Sequence, residues 1–173
     1  MMRKAKIGVA DTTFARMDMG GAALATLDRY AQEHGVEIET VHRTVPGFKD
    51  LPVACKKLIE EQGCDLVIAC GQAGGAEIDK QCAHEASLGL QQAMLMTNTH
   101  ILEVFVHTDE VAPHEEAKLK WLGENRAAEH ALNACWMLFE PERMAKLAGT
   151  GQREGFEDEG AITTTYTPEG EDA

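Results

Sequence analysis

With 173 residues, 44% of them hydrophobic and 26% charged, the chain has the composition of one globular domain with a substantial core. No apolar run approaches the ~20 residues that span a bilayer, and the N-terminus lacks a signal-peptide pattern, so a cytoplasmic protein without a membrane partner is expected. The net charge of −13 argues against nucleic acid as a partner, because phosphate binding relies on Lys and Arg.

In chain order, apolar strand patterns at 4–10, 36–42, 65–70 and 101–107 alternate with helical patterns near 20–34, 53–62, 77–96 and 115–139. Gly35 and Gly63 stand just past helical stretches, where C-cap glycines belong. Such alternation predicts a parallel sheet with helices on both faces, an α/β fold of four strands. The 115–139 helix carries small residues at 127, 128, 131 and 134, which suit close packing against the sheet or another subunit. After Pro141 a short helix over 142–148 is expected. Residues 154–173 hold seven acids and no Lys or Arg, which leaves −6 for residues 1–153. The domain is therefore expected over 1–156, with 157–173 an acidic, solvated and disordered extension. Five cysteines without CxxC spacing read as reduced, mostly buried thiols.

The C-terminal ends of parallel strands form the edge where open α/β sheets bind ligands. The first strand, Ile7-Gly8-Val9-Ala10, runs into Asp11-Thr12-Thr13-Phe14-Ala15-Arg16. Phe14 there suits either the core or stacking on a flat heterocycle. After the second strand comes Val45-Pro46-Gly47-Phe48-Lys49-Asp50-Leu51-Pro52, whose two prolines are expected to hold a stiff turn extended at both ends. After the third comes Gly71-Gln72-Ala73-Gly74-Gly75-Ala76-Glu77, which reads as a backbone cradle or a flexible loop and lacks the nucleotide-binding glycine motifs. His107 closes the fourth strand, facing the same edge. His84-Glu85, within the third helix, is either reactive or a buried hydrogen-bonded pair. The seven histidines show no metal-ligand spacing, so no metal site is expected.

These loops resemble the lumazine synthase family, and most closely its paralogue, the archaeal type of riboflavin synthase. The resemblance rests on Asp11-Thr12-Thr13-Phe14-Ala15-Arg16, the run Val45 to Leu58, Cys82-Ala83-His84-Glu85-Ala86-Ser87-Leu88-Gly89, Met96-Thr97-Asn98 and Glu103-Val104-Phe105-Val106-His107. It extends to about Phe156. It implies a flavodoxin-like three-layer αβα sandwich with a four-stranded parallel sheet in the order 2-1-3-4. It also implies an enzyme that dismutates two 6,7-dimethyl-8-ribityllumazine molecules to riboflavin and 5-amino-6-(D-ribitylamino)uracil. The alternatives are a 6,7-dimethyl-8-ribityllumazine synthase and a non-catalytic lumazine- or flavin-binding protein.

By the resemblance, Thr13, Phe14, Ala15, Gly47, Phe48, Lys49, Asp50, Gln72, Ala73, Glu77, Asp79, Lys80 and Arg126 bind substrate. Phe14 stacks on the ring and Asp50 holds ribityl hydroxyls. His84, His107 and Lys49 are the candidates for proton transfer. No organic cofactor is implied; a divalent cation such as magnesium is compatible, without a dedicated site. A homopentamer is implied, with sites between subunits to which the next subunit contributes His84 or Arg126. Three departures stand out. Ile78 replaces a histidine found in lumazine synthases, and Glu115-Glu116-Ala117-Lys118 places acids where those enzymes bind a phosphorylated substrate. Gln72-Ala73 stands where the archaeal loop commonly reads Met-Pro.

Overall fold

The computed structural model describes residues 3–166. Four strands, β1 (Lys4–Thr12), β2 (Glu37–Val45), β3 (Leu66–Ala73) and β4 (Ile101–His107), form one sheet in the order β2-β1-β3-β4. Every pairing is parallel. The helices are α1 (Met19–His34), α2 (Leu51–Glu60), α3 (Glu77–Thr97), α4 (Glu116–Phe139) and α5 (Pro141–Leu147). This is the expected α/β sandwich and strand order.

The two-residue period of the strands divides the core. Ile7, Val9, Ile68, Cys70, Val104 and Val106 point to one face, where α1 and α4 cover them. Ala10, Val67, Ala69 and Ile101 point to the other, against Leu51, Cys55 and Leu58 of α2 and Leu90 and Ala93 of α3. β3 is buried along its whole length, as a central strand covered on both sides must be. The small residues of α4 meet its own sheet and α1: Ala127, Ala131 and Ala134 are fully buried, in one cluster with Ala23 of α1. Gly35 ends α1 in the left-handed conformation, φ 61°, and its N–H returns to the Ala31 carbonyl.

Three strands run further than their apolar patterns. The β1–β2 ladder continues to Thr12 opposite Val45, and the β3–β4 ladder to Ala73 opposite His107. Asp11, Thr12, Gln72 and Ala73 are therefore strand residues, and the glycine-rich connection shortens to residues 74–76. Polar and small side chains hide a strand from hydropathy while leaving its backbone bonds intact. The expected extended turn at 45–52 also needs correction. Phe48–Asp50 is a 3-10 turn and Pro52 sits in the first turn of α2, where its missing N–H leaves no bond unmade. Leu51 is itself helical, at φ −57° and ψ −41°.

Among the described residues beyond α5 there is no helix or strand, but hydrogen bonds tie this segment down. Gly155 N–H donates to Glu129, Asn133 donates to Glu154, and Glu159 N–H donates to the Gly151 carbonyl at 2.9 Å. These bonds run past the boundary expected at 156. Ala161 to Tyr166 are exposed, and the rest of the expected disordered extension, 167–173, lies outside the described residues.

Gly20, in the first turn of α1, leaves room for a side-chain pair on β1 and β2. His42 Nε2 lies 2.7 Å from Asp11 Oδ2, and a Cβ on Gly20 would stand 2.1 Å from that same oxygen. Alanine ordinarily stabilises a helix by about 1 kcal/mol relative to glycine. Gly20→Ala is expected to do the opposite, lowering stability by about 1–3 kcal/mol as at other overpacked sites. The urea midpoint reads this out, and an unchanged midpoint would mean that the pair moves aside freely.

Candidate active site

Residues 13–18 join β1 to α1 and carry Phe14. Thr13 ties this loop to the next strand: its N–H donates to Val45 O at 2.9 Å and its hydroxyl to Pro46 O at 3.2 Å. The Gln72 side chain accepts from Arg16 N–H at 2.7 Å. At the far end Asp18 caps α1, accepting from Gly21 N–H at 2.8 Å. The aromatic ring held between these anchors is 56% exposed, which settles its two readings against the core.

The second loop is built around its own acid. Asp50 N–H donates to Gly47 O at 3.0 Å, and Gly47 N–H donates back to Asp50 Oδ2 at 3.2 Å. One carboxylate oxygen is thereby oriented, and the exposed group keeps acceptor capacity for a ligand. Phe48 anchors the loop from below, its ring 5.9 Å from that of Phe105. Lys49 Nζ pairs with Glu85 of α3 at 2.5 Å. The hydrogen bond and charge of Glu85 raise the Lys49 pKa, so this lysine stands as a cation and donor rather than as a base.

At the third strand end, Gln72 and Ala73 are buried while Glu77 extends into solvent and Asp79 is half-buried. Lys80 pairs with Asp109 at 2.7 Å and lies 3.6 Å from Glu77. That links the start of α3 to a 3-10 turn, Thr108–Glu110, which follows β4. His107 lies at the base of this turn, half-buried, with Nδ1 3.8 Å from Glu110 Oε1.

The structure thus brings Thr13, Phe14, Gly47, Phe48, Lys49 and Asp50 together, and gathers Glu77, Asp79, Lys80 and His107 along the same edge. His84 is exposed on α3 beside the Lys49–Glu85 pair, so the buried-pair reading is overturned: Glu85 belongs to Lys49. Arg126 meets the edge only at the turn after β4 and makes no bond to the Phe14 or Asp50 loop within this chain. It is buried on α4, donating to Glu110 Oε1 and Oε2 at 3.0 and 2.6 Å and to Phe105 O at 2.9 Å. The Phe156 ring stands 5.0 Å from its guanidinium. Sequence reasoning missed Glu85 and Glu110 as partners, since each lies far along the chain from its cation. It also missed the exposed pair of Arg16 with Glu116 at 2.7 Å.

Two open grooves lie near this edge, one at the second loop and one at Arg16 of the first. The first groove, about 630 Å³, runs along β2 and α2 and is lined by Val45, Pro46, Lys49, Asp50, Val53 and Lys57, among others. The other, about 450 Å³, lies between Arg16, Thr108, Asp109, Pro113 and Glu116. Among the described residues no group of three or more His, Cys, Asp or Glu side chains could hold a metal ion. No described helix is long and apolar enough to cross a membrane. An exposed aromatic face beside a loop rich in acceptors suits a flat heterocycle carrying a hydroxylated chain.

Comparison with known proteins agrees with this chemistry. Residues 4–141 match the family model of 6,7-dimethyl-8-ribityllumazine synthase. A riboflavin synthase of Methanothermobacter thermautotrophicus is 60% identical over 157 residues, 91% of this chain and 99% of that one. The riboflavin synthase of Archaeoglobus fulgidus is 46% identical over 91% of this chain and 98% of its own. A 6,7-dimethyl-8-ribityllumazine synthase of Desulfovibrio desulfuricans is 34% identical over 52% of this chain and 59% of its own.

The Arg126–Glu110 pair has a measurable signature. Burial pushes the Glu110 pKa up, but the Arg126 guanidinium and the His107 N–H outweigh it and leave the carboxyl below its ordinary value. A folded value below the unfolded one stabilises above about pH 4.3, and that contribution is lost as pH falls through the folded value. Glu110→Gln is expected to flatten the fall in urea midpoint between about pH 7 and about pH 3. Arg126→Met, which strands the acid, should cost on the order of 3 kcal/mol at neutral pH. Equal pH slopes in wild type and Glu110→Gln would show that the pair contributes nothing to acid sensitivity.

Proposed function

The chain belongs to the 6,7-dimethyl-8-ribityllumazine synthase family, and from that premise we propose that the protein is a riboflavin synthase. Two 6,7-dimethyl-8-ribityllumazine molecules exchange a four-carbon unit and leave as riboflavin and 5-amino-6-(D-ribitylamino)uracil. The carbon, hydrogen, nitrogen and oxygen of the two reactants are all accounted for in the two products. No oxidant or organic cofactor is needed on this reading, and magnesium enters only as a condition to vary.

One observation carries the choice over a lumazine synthase: among the described residues the cations beside the Phe14 and Asp50 loops and at the starts of α3 and α4 are each matched to a carboxylate. The unpaired Arg43 and Lys57 lie further along the first groove, on β2 and α2. Lys49 is paired with Glu85, Lys80 with Asp109, Arg16 with Glu116 and Arg126 with Glu110. At the start of α4, Lys118 lies 3.4 Å from Glu115, with Glu116 alongside. Such an edge favours a neutral ring and a polyol. The near full-length similarity to proteins named riboflavin synthase points the same way.

In this reading the lumazine ring stacks on Phe14 and its ribityl hydroxyls donate to Asp50. Lys49 donates to a ring carbonyl, and His107, or His84 of an adjacent copy, moves the proton of the acidic C7 methyl. Holding two rings face to face can contribute ~7–11 kcal/mol, and a positioned acid or base a further ~10²–10⁴-fold. A ring of five copies with sites between neighbours would supply the second wall. Val53, Ile78, Leu88, Leu95 and Met96, exposed on α2 and α3, are the side chains such contacts would cover. Cytoplasmic residence completes the proposal.

Purified protein given dimethylribityllumazine alone should form riboflavin, seen by its absorbance. Binding without turnover would leave a carrier, and activity only with a phosphorylated four-carbon sugar and the pyrimidine would make it a lumazine synthase. Asp50→Ala should raise KM about tenfold or more, since hydrogen bonds to a charged acceptor contribute ~1.5–3 kcal/mol each. Phe14→Ala should lower kcat as well, because one misplaced ring spoils the transfer geometry. A fall in Tm with KM and kcat unchanged in both variants would reduce these side chains to loop supports.

A further inference from the structure

We propose that Gln72 is a positioning residue that sets the orientation of Phe14 through the backbone of Arg16, an inference that rests on the stacking role just assigned to that ring. Gln72 is 1% exposed, a long polar side chain in a strand whose other residues are apolar or small. A buried amide is costly unless it is bonded. Its Oε1 accepts from Arg16 N–H at 2.7 Å, reaching across 56 residues from β3 to the loop after β1. Because the Arg16 N–H can only donate, the bond also determines which way the amide faces.

The loop needs such an anchor. Its beginning is fixed to β2 by Thr13 and its end to α1 by Asp18. Between them the Phe14 ring is 56% exposed and packs into neither core cluster. The Arg16 side chain reaches Glu116, but both partners are more than 60% exposed, and a pair that open to solvent contributes little. The Gln72 bond is the sheltered one, two residues from the aromatic ring. With Oε1 engaged and so little surface, Gln72 acts on a ligand through the loop rather than by direct contact. Methionine, of similar volume, would fill the same space without a comparable acceptor.

Amide hydrogen exchange on the ligand-free protein tests the bond itself. In wild type the Arg16 amide should be protected relative to neighbouring Ala15. Gln72→Met should speed its exchange about five- to tenfold, the equivalent of one hydrogen bond. Gln72→Glu, which keeps an oxygen at the same reach, should retain the protection. In riboflavin formation Gln72→Met should lower kcat about five- to tenfold with the smaller effect on KM. In a Phe14→Ala background it should lower kcat no further, since its effect passes through that ring. An unprotected Arg16 amide in wild type would overturn the proposal without any variant. So would a Gln72→Met loss of equal size with and without Phe14. If wild type forms no riboflavin, the functional reading fails while the exchange measurement still judges the bond.

Discussion

A single backbone hydrogen bond, from Thr13 N–H to Val45 O, couples the two loops on which the proposed chemistry rests. It extends the β1–β2 ladder one step beyond the last strand residues, Thr12 and Val45. The loop holding the aromatic ring and the loop holding the acid thus leave the sheet from a common rigid point. Their separation is set by strand spacing, about 4.8 Å between neighbours, rather than by side-chain packing. Everything further along each loop then needs only local anchoring: Phe48 on Phe105 for one, Gln72 and Asp18 for the other.

The electrostatics of the edge follow a consistent pattern. Three of its cations come from one element or loop and their acids from another: Lys49 with Glu85, Lys80 with Asp109, Arg16 with Glu116. These pairs are largely solvated and add little stability individually. Their effect is rather on what can bind, because a cation already matched to a carboxylate offers little to an added phosphate. Arg126 is the exception in burial, and there the matching acid belongs to the fold.

Much of the architecture was legible in the sequence. Strand and helix alternation, the C-cap at Gly35 and the two-faced core all follow from apolar periodicity and glycine placement. The strand order was legible only through resemblance, since periodicity carries no information about neighbours. Strand ends were misjudged wherever the last residues were polar or small, as at Asp11, Thr12, Gln72 and Ala73. Of the candidate site, the place of Phe14 and Asp50 on the strand-end edge could be read from loop position, whereas the role proposed for Asp50 came from the resemblance. The partnership of Lys49 with Glu85 could be read from neither, because it depends on α3 packing beside the second loop. Arg126 looked available for a ligand because nothing local in the sequence assigns it Glu110.

Burial also sorts the cysteines. Cys55, Cys64, Cys70 and Cys135 are buried, and loss of hydration raises their pKa values, to about 12 for Cys55. Thiols held in the neutral form react slowly with electrophiles. Cys82, partly exposed on α3 one turn before the glutamate that holds Lys49, is the remaining thiol. The native chain therefore carries, without engineering, a chemically addressable point beside the second loop. A small fluorophore attached there would sit close enough to sense movement of that loop as a ligand arrives.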